Sequence, residues 1–195
     1  MIRAVFGGTF DPVHSGHRLI VQAILAEGLA DFIHVVPAWL SPHKTGFSAS
    51  PEHRLNMVQL VFRAGDDRVV ETLEMDRASP GFTVETLSEL RARYREDRFR
   101  LVVGADNLAA FGDWHAPERI LEQADLIILA RQSGDLSEMC KQAGIASASC
   151  HLLGDFDERV SATEIRARFA AGEESGSGLD PAVLAYIHDH GLYRG

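Results

Sequence analysis

The stretch Gly7 to His17, GGTFDPVHSGH, concentrates residue types that bind and polarise an anion. Gly7 and Gly8 directly follow an apolar run, Ile2 to Phe6, that reads as a buried strand. Ligands of open parallel sheets bind beyond the carboxyl ends of strands, where glycines let backbone amides approach a phosphate. His14 and His17 stand three apart where a helix-like segment begins. In a helical turn this spacing puts both imidazoles on one face, so each can donate to the same anionic group. The free amides and positive dipole end of the helix add to that attraction. The same residues admit plainer uses: Gly7-Gly8 as a tight turn, and His14 with His17 as a metal pair. No third or fourth ligand stands at a zinc-like spacing, so the sequence nominates no metal-ligating set.

Other candidates are scattered along the chain. Lys44 closes VPAWLSPHK, in a loop over residues 37–50 that holds Pro, Ser and Gly. It is either a mobile cation or a solvated loop lysine. Thr83, in GFTVETL, opens a helical stretch and reads as an N-cap. Asp106 follows the strand-like run Phe99 to Val103, and Trp114 comes eight residues later in VVGADNLAAFGDWH. Arg131 follows a further strand candidate, Leu126 to Ala130. VSATEIR, Val160 to Arg166, reads as a capping box with Ser161 capping and Glu164 reaching back. The same helix start, with Arg166 one turn in, makes an anion site.

The elements that must hold these residues alternate in type. Strands are predicted at Ile2–Phe6, Phe32–Val36, Arg68–Leu73, Phe99–Val103, Leu126–Ala130 and Cys150–Leu153. Helices are predicted at His17–Leu29, Glu52–Ala64, Thr83–Tyr94, Thr163–Phe169 and Pro181–His188. In the second helix, Leu55, Val58, Leu60 and Val61 are the candidate core positions. Alternation of this kind, with near-continuous apolar strands, predicts an α/β fold: a doubly wound, mainly parallel sheet with helices on both faces. Gly172 to Gly178 (GEESGSG) reads as a flexible connector, and the residues beyond it are too few for a domain.

The 195 residues carry 19 Lys and Arg against 28 Asp and Glu, a formal charge of −9, with 46% hydrophobic residues. Such a chain buries roughly 70% of its unfolded surface and is not disordered. No apolar run approaches the ~20 residues of a membrane span, and the N-terminal run breaks at Gly7-Gly8, unlike a signal peptide. Cys140 and Cys150 form no CxxC pair or disulfide framework, which fits a cytoplasmic protein. The acidic balance speaks against nucleic acid as partner, and no membrane partner is implied. No coiled-coil seam marks an assembly, and a homo-oligomer stays open.

With these residues in place a resemblance is evident. GGTFDPVHSGH is similar to the opening motif of the nucleotidyltransferase superfamily with the signature His-x-Gly-His. More narrowly it resembles the bacterial nicotinate mononucleotide adenylyltransferases. VPAWLSPHK is similar to that family's loop ending in Pro-His-Lys, with Ser41 in place of a proline. GFTVETL resembles its Ser-Tyr-Thr-x-Asp-Thr-Leu, with Gly81 for serine and Phe82 for tyrosine. VVGADNLAAFGDWH is similar to its Gly-x-Asp and tryptophan, and VSATEIR to its Ile-Ser-Ser-Thr-x-Ile-Arg, with Ala162 for the second serine. The likeness covers nearly the whole chain and implies one Rossmann-like nucleotidyltransferase domain over 1–195. Its C-terminal helical part, about 161–195, would pack on the same domain.

The resemblance implies transfer of AMP from ATP to nicotinate mononucleotide in NAD biosynthesis, giving deamido-NAD and pyrophosphate. His14, His17, Lys44 and Arg166 would be the catalytic residues. ATP would meet Gly7, Gly8, Thr9, Phe10, His14, His17, Gly104, Asp106, Ser161, Thr163 and Arg166. Nicotinate mononucleotide would meet Gly8, Lys44, Thr83, Asp106, Trp114 and Arg131. There the Thr83 amide would face the carboxylate, Asp106 a ribose and Trp114 the pyridine ring. Mg²⁺ would accompany ATP, held mainly by phosphates and water. Three alternatives are weighed against this: a related transferase acting on phosphopantetheine, a nucleotide-binding regulator without catalysis, and a dinucleotide-dependent oxidoreductase. The last lacks Gly-x-Gly-x-x-Gly after the first strand.

Overall fold

The computed structural model describes residues 1–39, 49–77, 81–130, 135–154, 160–173 and 175–194. Six strands form one sheet: β1 (Ile2–Gly8), β2 (Phe32–Pro37), β3 (Arg68–Val70), β4 (Arg98–Gly104), β5 (Asp125–Leu129) and β6 (Cys150–Leu153). Their order is β3-β2-β1-β4-β5-β6, and β1 with β4, β4 with β5 and β5 with β6 pair in parallel. This is the doubly wound α/β arrangement, in which strand order reverses between the first and fourth strands and ligands bind at that switch point. The middle of β5 is a continuous apolar run, with Leu126, Ile127 and Ile128 all inaccessible, as expected of a parallel sheet covered on both faces.

The longer predicted helices are present as α1 (Ser15–Ala26), α2 (Pro51–Val61), α4 (Thr83–Arg93), α8 (Ala162–Ala170) and α9 (Pro181–Asp189). Ser50, Ser161 and Asp180 cap the starts of α2, α8 and α9 with side-chain oxygens, satisfying amides that a helix leaves without a partner. The expected strand Arg68–Leu73 is cut short. It ends at Val70, and Leu73 already begins α3 (Leu73–Arg77). The carbonyl of Thr72 takes the Asp76 amide and its hydroxyl donates to the Asp76 carboxylate at 2.8 Å, which turns the chain into a helix. Three more short helices stand where the sequence predicts none: α5 (Ala105–Ala109), α6 (Pro117–Leu121) and α7 (Leu136–Gln142).

The chain divides into two compact units. One comprises Met1–Gly7, Gln22–His34 and Phe82–Asp157. Its core includes Ile24, Ile33, Leu87, Leu90, Leu101 and Ile120. The other comprises Gly8–Val21, Val35–Gly81 and Glu158–Gly195, around Phe10, Val13, Met57, Phe62, Ile165 and Val183. Cys140 and Cys150 are free and buried, and burial pushes the Cys150 thiol up to about 12. Among the described residues, no helix is long and apolar enough to cross a membrane.

In the first unit, Asp97 receives the Met1 ammonium at 2.8 Å and the Arg3 guanidinium. These hydrogen bonds hold its carboxyl below the usual aspartate value. A depressed carboxyl stabilises the fold above its unfolded pKa, and the contribution is lost as pH falls through the folded pKa. Asp97→Asn therefore lowers the urea midpoint at pH 7. The difference from wild type narrows below about pH 4, where free aspartate protonates. A gap that persists unchanged at pH 2 contradicts this account.

Candidate active site

The motif loop leaves β1 at Gly8 and passes through Phe10, in the left-handed region at φ 50°, and a cis Asp11–Pro12 bond. It reaches His14, the residue before α1. His17 is the third residue of that helix, and its Nδ1 accepts the His14 amide hydrogen at 3.1 Å. This is the reciprocal half of a capping box, with imidazole in place of the usual Glu or Gln. A ring nitrogen that accepts carries no hydrogen, so the neutral ring bears its proton on Nε2. The two imidazoles lie 3.8 Å apart between centroids, tilted by 38°, and so share one face of the turn. His14 is buried.

Two backbone donors at this helix start are already engaged by the chain. The His14 amide serves His17, and the Ser15 amide donates to the Gly178 carbonyl at 2.8 Å. The His17 amide also has an acceptor, the His14 carbonyl at 3.0 Å, so this helix start offers fewer uncommitted amides than the bare motif implies.

Three further contacts converge on the motif loop within the second unit. Arg166 Nη1 donates to the Asp11 carbonyl at 2.7 Å, and its Nη2 reaches the Thr163 hydroxyl at 3.3 Å. The Asp11 carboxylate accepts the Tyr193 hydroxyl at 2.8 Å and the Ala49 amide at 3.2 Å. Burial pushes the Tyr193 phenol well above its ordinary range, so it stays a donor. Ser161 performs its half of the expected capping box, accepting the Glu164 amide at 3.3 Å. Ser161, Thr163, Arg166, His14, His17, Thr9 and Phe10 thus share one unit.

The first unit holds the other described candidates. Parallel pairing of β1 and β4 carries Gly7 and Gly104 to the same carboxyl-terminal edge. Asp106 is exposed in the first turn of α5. Trp114 is half-buried, with its ring 5.3 Å from that of the buried Phe111. Thr83 is the first residue of α4, and the cap position before it belongs to Phe82. Thr83 is therefore not the N-cap, but its amide is among those a helix start leaves without an intrahelical acceptor. Phe82 stacks on His115 at 4.3 Å. Lys44, Arg131 and Ser41 lie outside the described residues.

Two departures from the resembled pattern acquire a setting. A Cβ at Gly81 would lie 2.9 Å from Glu74 Cδ and 3.0 Å from its Cγ, so Glu74 occupies the room a serine would need. Ala162 is the first residue of α8, directly after the capping Ser161, so the cap survives the loss of the second hydroxyl.

The sequence pattern does not single out Asp11, Tyr193 or Arg54. The expected core of α2 is also out of phase: Arg54, Met57 and Val58 are buried, while Leu55, Leu60 and Val61 are only partly so. A signal is present, since Arg54, Met57 and Val58 follow the i, i+3, i+4 stripe of a core face. An arginine on such a stripe is seldom taken for an interior residue.

A doubly wound sheet with this motif loop at its switch point defines a nucleotide-binding α/β protein, and the chain belongs to the cytidylyltransferase-like family, whose model matches residues 5–168. Curated relatives narrow the likeness further. The chain is 37% identical over 192 residues to the "Probable nicotinate-nucleotide adenylyltransferase" of Albidiferax ferrireducens, covering 97% of this chain and 96% of that one. It is 35% identical to the one of the same name from Chromobacterium violaceum, covering 97% of each. A solved nicotinic acid mononucleotide adenylyltransferase of Plasmodium falciparum, complexed with NaAD, superposes with a TM-score of 0.79 at 18% identity. The match covers 98% of this chain and 97% of that one, a likeness of fold.

Proposed function

We propose that this chain is a nicotinate-nucleotide adenylyltransferase, moving AMP from ATP to nicotinate mononucleotide in NAD biosynthesis. The products are nicotinate adenine dinucleotide (deamido-NAD) and pyrophosphate. The observation that carries the reading is the gathering of His14, His17 and Arg166 about one glycine-led loop at the end of β1.

The chemistry asks little covalent help of the protein. The mononucleotide phosphate is mostly ionised near pH 7, given a second pKa of about 6, so no general base is required. One of its oxygens bonds to the α-phosphorus of ATP. The bond from that phosphorus to the bridging oxygen breaks, and the electron pair leaves with pyrophosphate. The enzyme contributes alignment and charge stabilisation. His17 donates from Nε2 to the α-phosphate while its Nδ1 stays on the His14 amide. His14, Lys44 and Arg166 add donors around the triphosphate, with Ser161 and Thr163 at the start of α8. Gly7, Gly8, Thr9, Gly104 and Asp106 complete the ATP contacts, whereas Phe10, expected among them, is buried in the core of its unit. The mononucleotide takes Gly8, Lys44, Asp106, the Thr83 amide, the Trp114 ring face and Arg131.

Mg²⁺ fits this donor set as a passenger of ATP. Ser161 and Thr163 at the start of α8 and the donors His14, His17, Lys44 and Arg166 address the phosphates, and the ion would travel with them. Bound there, it would supply charge neutralisation for the leaving pyrophosphate. The buried free thiols of Cys140 and Cys150 favour a cytoplasmic setting, with small molecules as the partners.

The test is pyrophosphate release from MgATP with nicotinate mononucleotide, nicotinamide mononucleotide and phosphopantetheine as parallel acceptors. Strong release with the first alone is expected. Equal release with the amide keeps the reaction and removes the carboxylate contacts of Thr83 and Arg131. Release with none of the three, from folded protein that binds ATP, overturns the assignment.

A further inference from the structure

Arg54 is inaccessible to solvent and is the fourth residue of α2, which starts at Pro51. Both facts count against an arginine. A cation near a helix N-terminus opposes the macrodipole, and a buried charge loses its hydration. Burial holds its pKa below the ordinary arginine value, opposed most strongly by the nearby Asp11. An apolar side chain on the stripe of Met57 and Val58 would serve packing without this cost. The guanidinium is spent on backbone instead. Nη1 donates to the carbonyls of Thr9 at 2.8 Å and Ala38 at 2.7 Å, and Nη2 to that of Trp39 at 2.8 Å. Ala38 in turn donates its amide to the Gly8 carbonyl at 2.9 Å.

These bonds join two segments distant in sequence: the start of the motif loop and the chain just beyond β2. A planar fork with donors at fixed angles can hold three carbonyls at once, and a lysine cannot reproduce that geometry. We propose that Arg54 is a positioning residue for adenylyl transfer, fixing the Gly8–Thr9 end of the motif loop and so setting where His14 and His17 stand. The loop's next anchor is Asp11, held by Ala49, Tyr193 and Arg166. Arg54 supplies the upstream anchor and touches no substrate. The inference rests on the adenylyl-transfer reading for its kinetic consequence, but its geometric content stands on the loop alone.

Arg54→Lys and Arg54→Gln test it, with two readouts. In the first, Arg54→Lys loses about a hundredfold in kcat, the scale of an ångström-size misplacement of catalytic groups. The KM for nicotinate mononucleotide stays within about twofold, the pattern of an interaction that matters in the transition state. In the second, hydrogen exchange of the amides from Gly8 to His14 rises at least tenfold, while the amides of β5 keep wild-type protection. Wild-type kcat in Arg54→Lys with unchanged loop exchange overturns the proposal. Exchange that rises alike in the loop and in β5 also overturns it, as does failure of both variants to fold, because each makes Arg54 a general structural residue. If wild type itself transfers no adenylyl group, the functional reading falls, and the exchange measurement alone decides whether Arg54 fixes the loop.

Discussion

His17→Gln folds as wild type does and turns over about a hundredfold more slowly, the effect of removing one preorganised donor from a developing oxyanion. The choice of glutamine follows from the two tasks of His17. Its Nδ1 accepts the His14 amide at 3.1 Å, and glutamine at this third helical position is an ordinary capping-box acceptor. The cap is therefore kept, and the rigid imidazole Nε2–H is exchanged for the N–H of a flexible amide at a different position. His17→Ala loses both, and adds a stability cost of about 1 kcal/mol, typical of a lost cap. Melting temperature separates the two variants, and single-turnover rates with MgATP unite them. Because the mononucleotide phosphate is already ionised, the loss persists across pH 7 to 9 instead of vanishing at high pH as a missing general base would allow. Wild-type turnover in a folded His17→Gln leaves imidazole at 17 with a capping role only.

The same pair shows what is legible in the sequence. The longer strands follow from their apolar runs and the five longer helices from helical spacing, because each is long enough for such a pattern to register, whereas β3, three residues long, is legible only as a strand whose end the sequence misplaces. The short helices α3, α5, α6 and α7, five to seven residues each, offer less than two turns of pattern. Their signals are local: Pro117 at the first position of α6, and Asp135 accepting the Ser137 and Glu138 amides at the start of α7. The motif residues are visible as types and spacings. Their supports are not, since the Tyr193 hydroxyl meets Asp11 across 182 positions and Arg54 meets Thr9 across 45. Contacts of that separation leave no trace in local periodicity. The fate of the helix-start amides is equally hidden, because Gly178, the acceptor for Ser15, sits in a segment that reads only as a connector.

Gly8→Ala loses activity through His17, with Phe10 as the intermediary. A Cβ at position 8 would stand 3.0, 3.1 and 3.3 Å from three carbons of the Phe10 ring. That ring cannot swing clear: Phe10 is 1% exposed, and its backbone is fixed at φ 50°. The same ring meets His17, at 4.8 Å between centroids and 61° between planes. Interiors are packed too densely to absorb a methyl without displacement, so Phe10 moves and His17 moves with it. Overpacking of this kind costs about 1–3 kcal/mol of stability. The displacement lowers kcat by about tenfold to a hundredfold, the penalty for catalytic groups held slightly out of line. Gly7→Ala is the contrast, since nothing lies within 4 Å of a Cβ there and its melting temperature stays at the wild-type value. The decisive measurement is the double variant Gly8→Ala with Phe10→Leu. A smaller side chain relieves the collision, so kcat returns toward wild type and the two substitutions are strongly non-additive. If the double variant is as slow as Gly8→Ala alone, the damage lies in the backbone amide beside the triphosphate, and Phe10 transmits nothing.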